Sequence, residues 1–197
     1  MNNLMKTIAA TMMVLFSNIS TAETGKVYVA FDFGQGTVVD ACKGVPSSFS
    51  CANTTTVMRG NLGFLINQNF GVEVGAADYG TINIRGTSSG SSITGSMAAT
   101  GYQFSLVGYL PLSEQMALIV KGGPALITAT STASGFGTTS TSSAENSNFA
   151  FGFGMKTKMS DQLSFRLMYE NLGTLKTCNT CKGNEASMFT GGLMLNF

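Results

Sequence analysis

The 197-residue sequence contains no histidine. That absence removes the commonest general base, the commonest metal ligand and the base of every Ser-His or Cys-His dyad. Hydrolase and metalloenzyme readings therefore start without their usual parts, and neither a cofactor nor a metal site is expected. Charge is scarce too, at 11% of residues against about a quarter in soluble domains. The 11 basic and 10 acidic residues nearly cancel, so there is no electrostatic footprint for nucleic acid. Long apolar runs are also missing: after Ala22 nothing approaches the roughly 18 residues a spanning helix needs. A chain this poor in charge must still cover its apolar surface, and the pattern of that surface says how.

The first residues read as an export signal. Lys6 supplies a positive start, Thr7 to Ile19 an apolar core, and Ser20-Thr-Ala22 the small residues of a cleavage site. The apolar core is too short for a membrane anchor. Cleavage is expected after Ala22, with residues 1–22 as signal peptide and 23–197 as a single domain.

The rest alternates with period two. In Lys26–Phe33, Val27, Val29, Phe31 and Phe33 share one face, opposite Lys26, Tyr28, Ala30 and Asp32. Thr56–Ile66 sets Met58, Leu62, Phe64 and Ile66 against Arg59, Asn61 and Gly63. Phe70–Tyr79 opposes Phe70, Val72 and Val74 to Gly71, Glu73 and Gly75. Similar segments occur at 100–110, 115–128, 148–158 and 163–170, and the chain closes on Phe189, Leu193, Leu195 and Phe197 at odd positions. That makes eight expected strands. Their connectors alternate between short (67–69, 111–114, 160–161) and long (36–55, 83–97, 129–147, 171–186). The third long connector is rich in Ser, Thr and Gly and is expected to be mobile in water.

The two faces differ in kind. One carries Phe, Leu, Val and Met; the other carries Gly, Ala, Ser, Asn and isolated charges. A lipocalin-like soluble barrel would hide its large residues inside and spread many charges outside. Here the small, sparsely charged face suits a narrow interior, and the large residues suit lipid. In hydrocarbon every backbone N–H and C=O must be paired internally, which without helices requires a closed sheet. The expected fold is an all-β, eight-stranded antiparallel up-and-down transmembrane β-barrel with a lumen filled by side chains.

Three fragments then carry a resemblance. GNLGFLINQNFGVEVGAADYG (60–80), YQFSLVGYLPLSEQMALIVKGGPA (102–125) and DQLSFRLMYE (161–170), in that order, resemble the OmpA-type (OmpA/OmpX-like) small outer-membrane barrel family. The resemblance implies a lumenal ion-pair network in which Glu73 and Arg166 take the paired positions. Lys156 stands where the family pattern has an acidic residue and Val107 where it has a lysine, so a rearranged network is expected around Glu73, Arg166, Lys156 and Glu170. Lys121 and Arg59 lie on the same face. It also implies a bacterial outer-membrane location with periplasmic termini, among lipid and lipopolysaccharide. The stripe Phe189, Leu193, Leu195, Phe197 is similar to the C-terminal assembly signal of outer-membrane proteins. Periplasmic chaperones and the barrel assembly machinery are the partners that signal implies. The peptidoglycan-binding domain of larger relatives is not expected, because the chain ends with the barrel.

Four cysteines fall in two pairs, Cys42 with Cys51 and Cys178 with Cys181, in the first and last long connectors. Outside the cell they should oxidise. Three connectivities are possible; closure of the barrel brings the two connectors side by side, so cross-loop pairing is open, and the local pairs are favoured. Cys178-Asn-Thr-Cys181 matches the redox C-x-x-C pattern, but no helix is there to activate a thiol. A four-cysteine zinc site would need reduced thiolates. The leading functional expectation is a structural and surface-interaction scaffold, binding an unknown extracellular ligand through its loops. A narrow channel is the alternative, and a lipid-modifying enzyme a remoter one.

Overall fold

The computed structural model describes residues 26–88, 90–178 and 180–197. The expected signal peptide and its cleavage point at Ala22 lie outside them. Nine strands follow in order: β1 (Lys26–Val38), β2 (Ser50–Cys51), β3 (Thr54–Leu65), β4 (Phe70–Ser88), β5 (Ser91–Pro111), β6 (Met116–Gly135), β7 (Thr138–Lys158), β8 (Leu163–Leu175) and β9 (Asn184–Asn196). Sequential antiparallel pairing runs β3-β1-β9-β8-β7-β6-β5-β4, and β4 returns to β3. The circle is an eight-stranded closed barrel, as the period-two pattern required. The dipeptide β2 is a short addition on the edge of β4.

Side-chain alternation sets the wall. In β1, Tyr28, Ala30 and Asp32 are buried, whereas Phe31 and Phe33 are each 61% exposed. The same parity puts Phe64, Phe104, Leu126, Phe151 and Leu193 on the outside. These exposed side chains form an apolar outer surface of the kind a bilayer covers.

One end of the barrel is closed by three tight turns, each organised by a side-chain oxygen. Asn67 Oδ1 accepts from the N–H of Asn69 and Phe70, both at 2.8 Å. Ser113 Oγ accepts from Gln115 and Met116 at 3.3 and 3.1 Å, and Ser160 Oγ from Leu163 at 3.0 Å. Asn and Ser favour such turns because they mimic a backbone carbonyl. Next to the third turn, Lys158 pairs with Asp161 at 2.6 Å, and that hydrogen bond holds the Asp161 carboxyl below its usual range. Lys26, the first described residue, and Phe197 share this end, where Phe197 N–H donates to Val27 O at 2.9 Å.

The other end differs from expectation. Most of connectors 83–97 and 129–147 is strand, because β4–β5 and β6–β7 continue as paired hairpins far beyond the apolar wall. Their tips are short, and Phe136 and Gly137 both take positive φ (51° and 78°), which two-residue hairpins of this hand require. Connector 129–147 is thus a paired hairpin rather than the loop expected. Thr has strong β-propensity, and cross-strand hydroxyls pair along the hairpin: Thr130 with Ser143 (3.3 Å), Thr132 with Thr141 (3.3 Å), Ser134 with Thr139 (2.9 Å). Both faces of the β6–β7 hairpin are small or polar there, so little hydrophobic alternation marks it in the sequence, whereas the β4–β5 hairpin keeps Ile82, Ile84, Ile93 and Met97 on one face.

The interior is layered. Near the tight-turn end, Val107, Tyr109, Ile119 and Met168 form one apolar cluster, with Tyr28, Ala30 and Met194 forming another beside it. Toward the hairpin end a larger cluster includes Val57, Tyr79, Ile127, Leu172, Leu175 and Met188. The buried charges gather in the zone between, while Asn146 lies toward the hairpin end and Ser164 and Lys156 toward the tight-turn end.

Candidate functional site

Six charged side chains from five strands meet in that middle zone: Asp32 of β1, Arg59 of β3, Glu73 of β4, Lys121 of β6, and Arg166 and Glu170 of β8. All are at most 4% exposed. Arg166 forks onto Asp32, with Nε to Oδ1 at 2.8 Å and Nη2 to Oδ2 at 2.7 Å, and its Nη1 donates to Glu73 Oε2 at 2.7 Å. Lys121 Nζ lies 2.9 Å from Glu73 Oε1 and 3.3 Å from Glu170 Oε2. Arg59 pairs with Glu170 and, at 3.0 Å, with Asp32.

The contacts close on themselves. Asp32, Arg166, Glu73, Lys121, Glu170 and Arg59 form a ring in which sign alternates and every member touches two of opposite charge. The sum of charge is zero. Neutral groups fill remaining positions: Asn61 donates to Asp32 at 2.8 Å, and Arg59 Nη1 to Gln103 Oε1 at 3.4 Å. Tyr109 donates to Tyr28, which donates to Glu73, both at 3.1 Å. The Glu170 contacts are charge pairs without aligned hydrogen bonds, so the ring's hydrogen bonds concentrate on its Asp32–Arg166–Glu73 side. Charges buried this deeply persist only when paired, and small neighbours such as Gly152 leave room for them, since a Cβ there would meet the Glu170 side chain.

Of the residues singled out in the sequence, Glu73, Arg166, Glu170, Lys121 and Arg59 come together here. Lys156 does not, and its expected place in the network is corrected. It sits opposite Arg166 in the β7–β8 register, where two cations would repel. Its ammonium instead turns toward the tight-turn end, 4.7 Å over the Tyr109 ring. Asp32 takes the remaining acidic position. It lay on the polar face of KVYVAFDF, and that parity was the signal that could have found it.

Phe189, Leu193 and Leu195 face outward from β9, and with Phe197 just after it they are 42 to 62% exposed. The cysteines pair locally, Cys42 with Cys51 and Cys178 with Cys181, with Cα atoms 5.8 and 5.1 Å apart. Among the described residues no group of three or more His, Cys, Asp or Glu could hold a metal ion.

A closed antiparallel barrel with an apolar exterior and buried, paired charges defines a small integral outer-membrane barrel protein. Residues 7–197 match the outer membrane protein beta-barrel domain family, and the chain belongs to it. The fold is similar to that of Ail, the attachment invasion locus protein of Yersinia pestis, at 14% identity over 88% of this chain and 99% of that one, with a TM-score of 0.58. That protein was solved with the heparin analogue sucrose octasulfate. It is also similar to the N-terminal β-barrel domain of Pseudomonas aeruginosa OprF (10% identity, 87% and 97% coverage, TM-score 0.52). OprG of the same organism matches at 8% identity, covering 91% and 99%, with a TM-score of 0.52. At these identities the likeness is one of fold alone. No curated protein matches the sequence.

Proposed function

We propose that this protein is an exported outer-membrane scaffold that works through its projecting hairpins rather than through its lumen. In this reading the peptide through Ala22 is removed and the tight turns and both termini face the periplasm. The hairpins of β4–β5 and β6–β7 stand outside the cell, where they bind an extracellular ligand. Periplasmic chaperones and the barrel assembly machinery read β9 through Phe189, Leu193, Leu195 and Phe197. The barrel is bathed in outer-membrane lipid and lipopolysaccharide, and no turnover is assigned to it.

One observation carries the choice of scaffold over channel. The neutral charge ring sits between apolar clusters on both sides, so an ion would have to cross two dry layers and displace a fully paired ring. The wall, by contrast, continues past the apolar zone into ordered hairpins that nothing in the lumen needs. Attachment is the role such hairpins suit, and the name of the similar Yersinia protein is compatible with it.

Planar-bilayer recording tests this directly. The purified barrel, shown to be folded by a gel shift between unboiled and boiled samples, is expected to give no stable open state. A sustained, reproducible conductance would favour the channel reading instead.

A further inference from the structure

The Cys178–Cys181 disulfide is a motif for which the scaffold role has no use, and it differs from its companion in how it is held. Cys42 and Cys51 are both half-buried. Cys51 belongs to β2, paired with Ile84 of β4, and the N–H of Cys42 donates to Asn53 Oδ1 at 3.0 Å. The nearby Phe49 ring lies against Gly86, where a Cβ would meet it. Structure around that bond therefore keeps its sulfurs together. Cys178 and Cys181, by contrast, lie outside every strand. The backbone hydrogen bond described between them runs from Cys181 N–H to Cys178 O at 3.2 Å.

The platform beneath this turn is firm. Lys176 exchanges two hydrogen bonds with the Asn146 side chain, Ser142 Oγ donates to Thr177 O at 3.2 Å, and Leu175 pairs with Asn184 where β9 begins. Opening the disulfide would loosen only the turn above that base. Exposure gives the bond a direction, since Cys181 is exposed and Cys178 half-buried. Thr180 Oγ1 lies 3.6 Å from Cys178 Sγ, within hydrogen-bond reach of a sulfur. Lys176 and Lys182 flank the turn, both exposed, and residues 171–184 contain no carboxylate.

We propose that Cys178–Cys181 is a reversible covalent capture site for thiols. The disulfide acts as the electrophile, so it needs no helix to activate a cysteine of its own. An incoming thiolate attacks Cys181 Sγ from the exposed side, and a new S–S bond forms as the Cys178–Cys181 bond breaks. The electron pair leaves on Cys178 Sγ, where the Thr180 hydroxyl donates a hydrogen bond to the thiolate. Attacking and leaving sulfurs are both anionic, and the two ammoniums beside them favour that charge. The product is a mixed disulfide on Cys181. Return attack by Cys178 on Cys181 Sγ expels the captured thiol and restores the starting bond, so no outside oxidant or reductant enters. The captured group is the thiol of a small peptide or an exposed cysteine of a protein. This deepens the surface-interaction reading by making a loop contact covalent, and it rests on the hairpin end facing out of the cell.

The test uses the mature barrel folded in detergent. One arm adds reduced glutathione at neutral pH, and another adds a small protein carrying a single exposed cysteine. Acid quenching, intact mass and peptide mapping read the adducts. A one-to-one adduct on Cys181 is expected, formed at least about tenfold faster than any on Cys42 or Cys51. Thr180→Val should slow capture roughly threefold or more, and Thr180→Ser should restore it. Lys176→Gln with Lys182→Gln should slow it and remove its dependence on salt. Cys178→Ala with Cys181→Ala should abolish capture and leave the heat-dependent gel shift unchanged. An adduct in either arm supports the site, and the arm that gives it names the source of the thiol. The proposal is overturned by no adduct in either arm, by equal rates at the two disulfides, by adducts on Cys178, or by unchanged rates in the Thr180→Val and double lysine variants together. A membrane-impermeant maleimide on intact, mildly reduced cells reads orientation separately. Exchange in detergent without labelling of Cys181 from outside would sink the scaffold reading and leave the thiol chemistry standing.

Discussion

At the scale of single residues, the lumen is governed by pairing. Arg166 serves two carboxylates at once, so Arg166→Ala leaves Asp32 and Glu73 short of a partner in a dry interior. A loss of about 3–5 kcal/mol is expected, read as a lower urea midpoint for unfolding from detergent or vesicles. Arg166→Lys should recover only part of it, because an ammonium cannot fork onto Asp32. Gly63 makes a second point about space. A Cβ there would run into the Tyr28 ring, and Tyr28 is fully buried and donates to Glu73. Gly63→Ala should therefore cost about 1–3 kcal/mol through overpacking, visible as a lower temperature for the shift from folded to unfolded band on gels. Parity along each strand made most ring members legible, since inward positions holding charge in a membrane barrel must meet. What parity could not say is height along the barrel axis. Lys156 has the right parity and the wrong height, so it stands outside the ring.

At the scale of elements, β-strands declare themselves through one buried face. That is why the wall segments were legible and the outer halves of β6 and β7 were not: with hydroxyls outside and small or polar residues inside they carry little period, whereas Ile82 and Ile84 of β4 and Ile93 and Met97 of β5 keep an inward apolar face that alternation could have shown. The seam between β7 and β8 shows another feature invisible in sequence. Backbone pairing there ends at Phe151 and Asn171, and two asparagine side chains continue it. Asn148 Nδ2 donates to the carbonyls of Leu172 and Thr174, both at 2.9 Å, and Asn146 exchanges hydrogen bonds with Lys176 at 3.0 and 2.7 Å. Replacing both with Ala should raise amide exchange at Lys176 and its neighbours by tenfold or more, with β1 and β3 unchanged. The β6–β7 tip offers the opposite experiment. Phe136 holds a left-handed backbone that Asn tolerates far better. Phe136→Asn is expected to stabilise the hairpin by about 1 kcal/mol and to slow amide exchange between Ser134 and Thr139. Faster exchange would mean that the Phe side chain, not the turn, stabilises the tip.

At the scale of the whole molecule, closure is the organising event. Low charge, two-faced strands and a connector alternation that survives at the short-turn end all pointed to a closed barrel, because lipid leaves no other way to pair so much backbone. The layering inside was less legible, since Met168, Met188 and Met194 occupy the same parity as the ring and only the assembled cylinder separates them into levels. The ring itself has a bearing on how the protein is built. Its six members come from β1, β3, β4, β6 and β8, so no half-finished sheet contains it whole. Slippage of any contributing strand by a single residue would turn a charge toward hydrocarbon. A sheet still open between β1 and β8 would carry unmatched ions there. Burial of the ring therefore makes partial or misregistered insertion costly relative to the complete barrel.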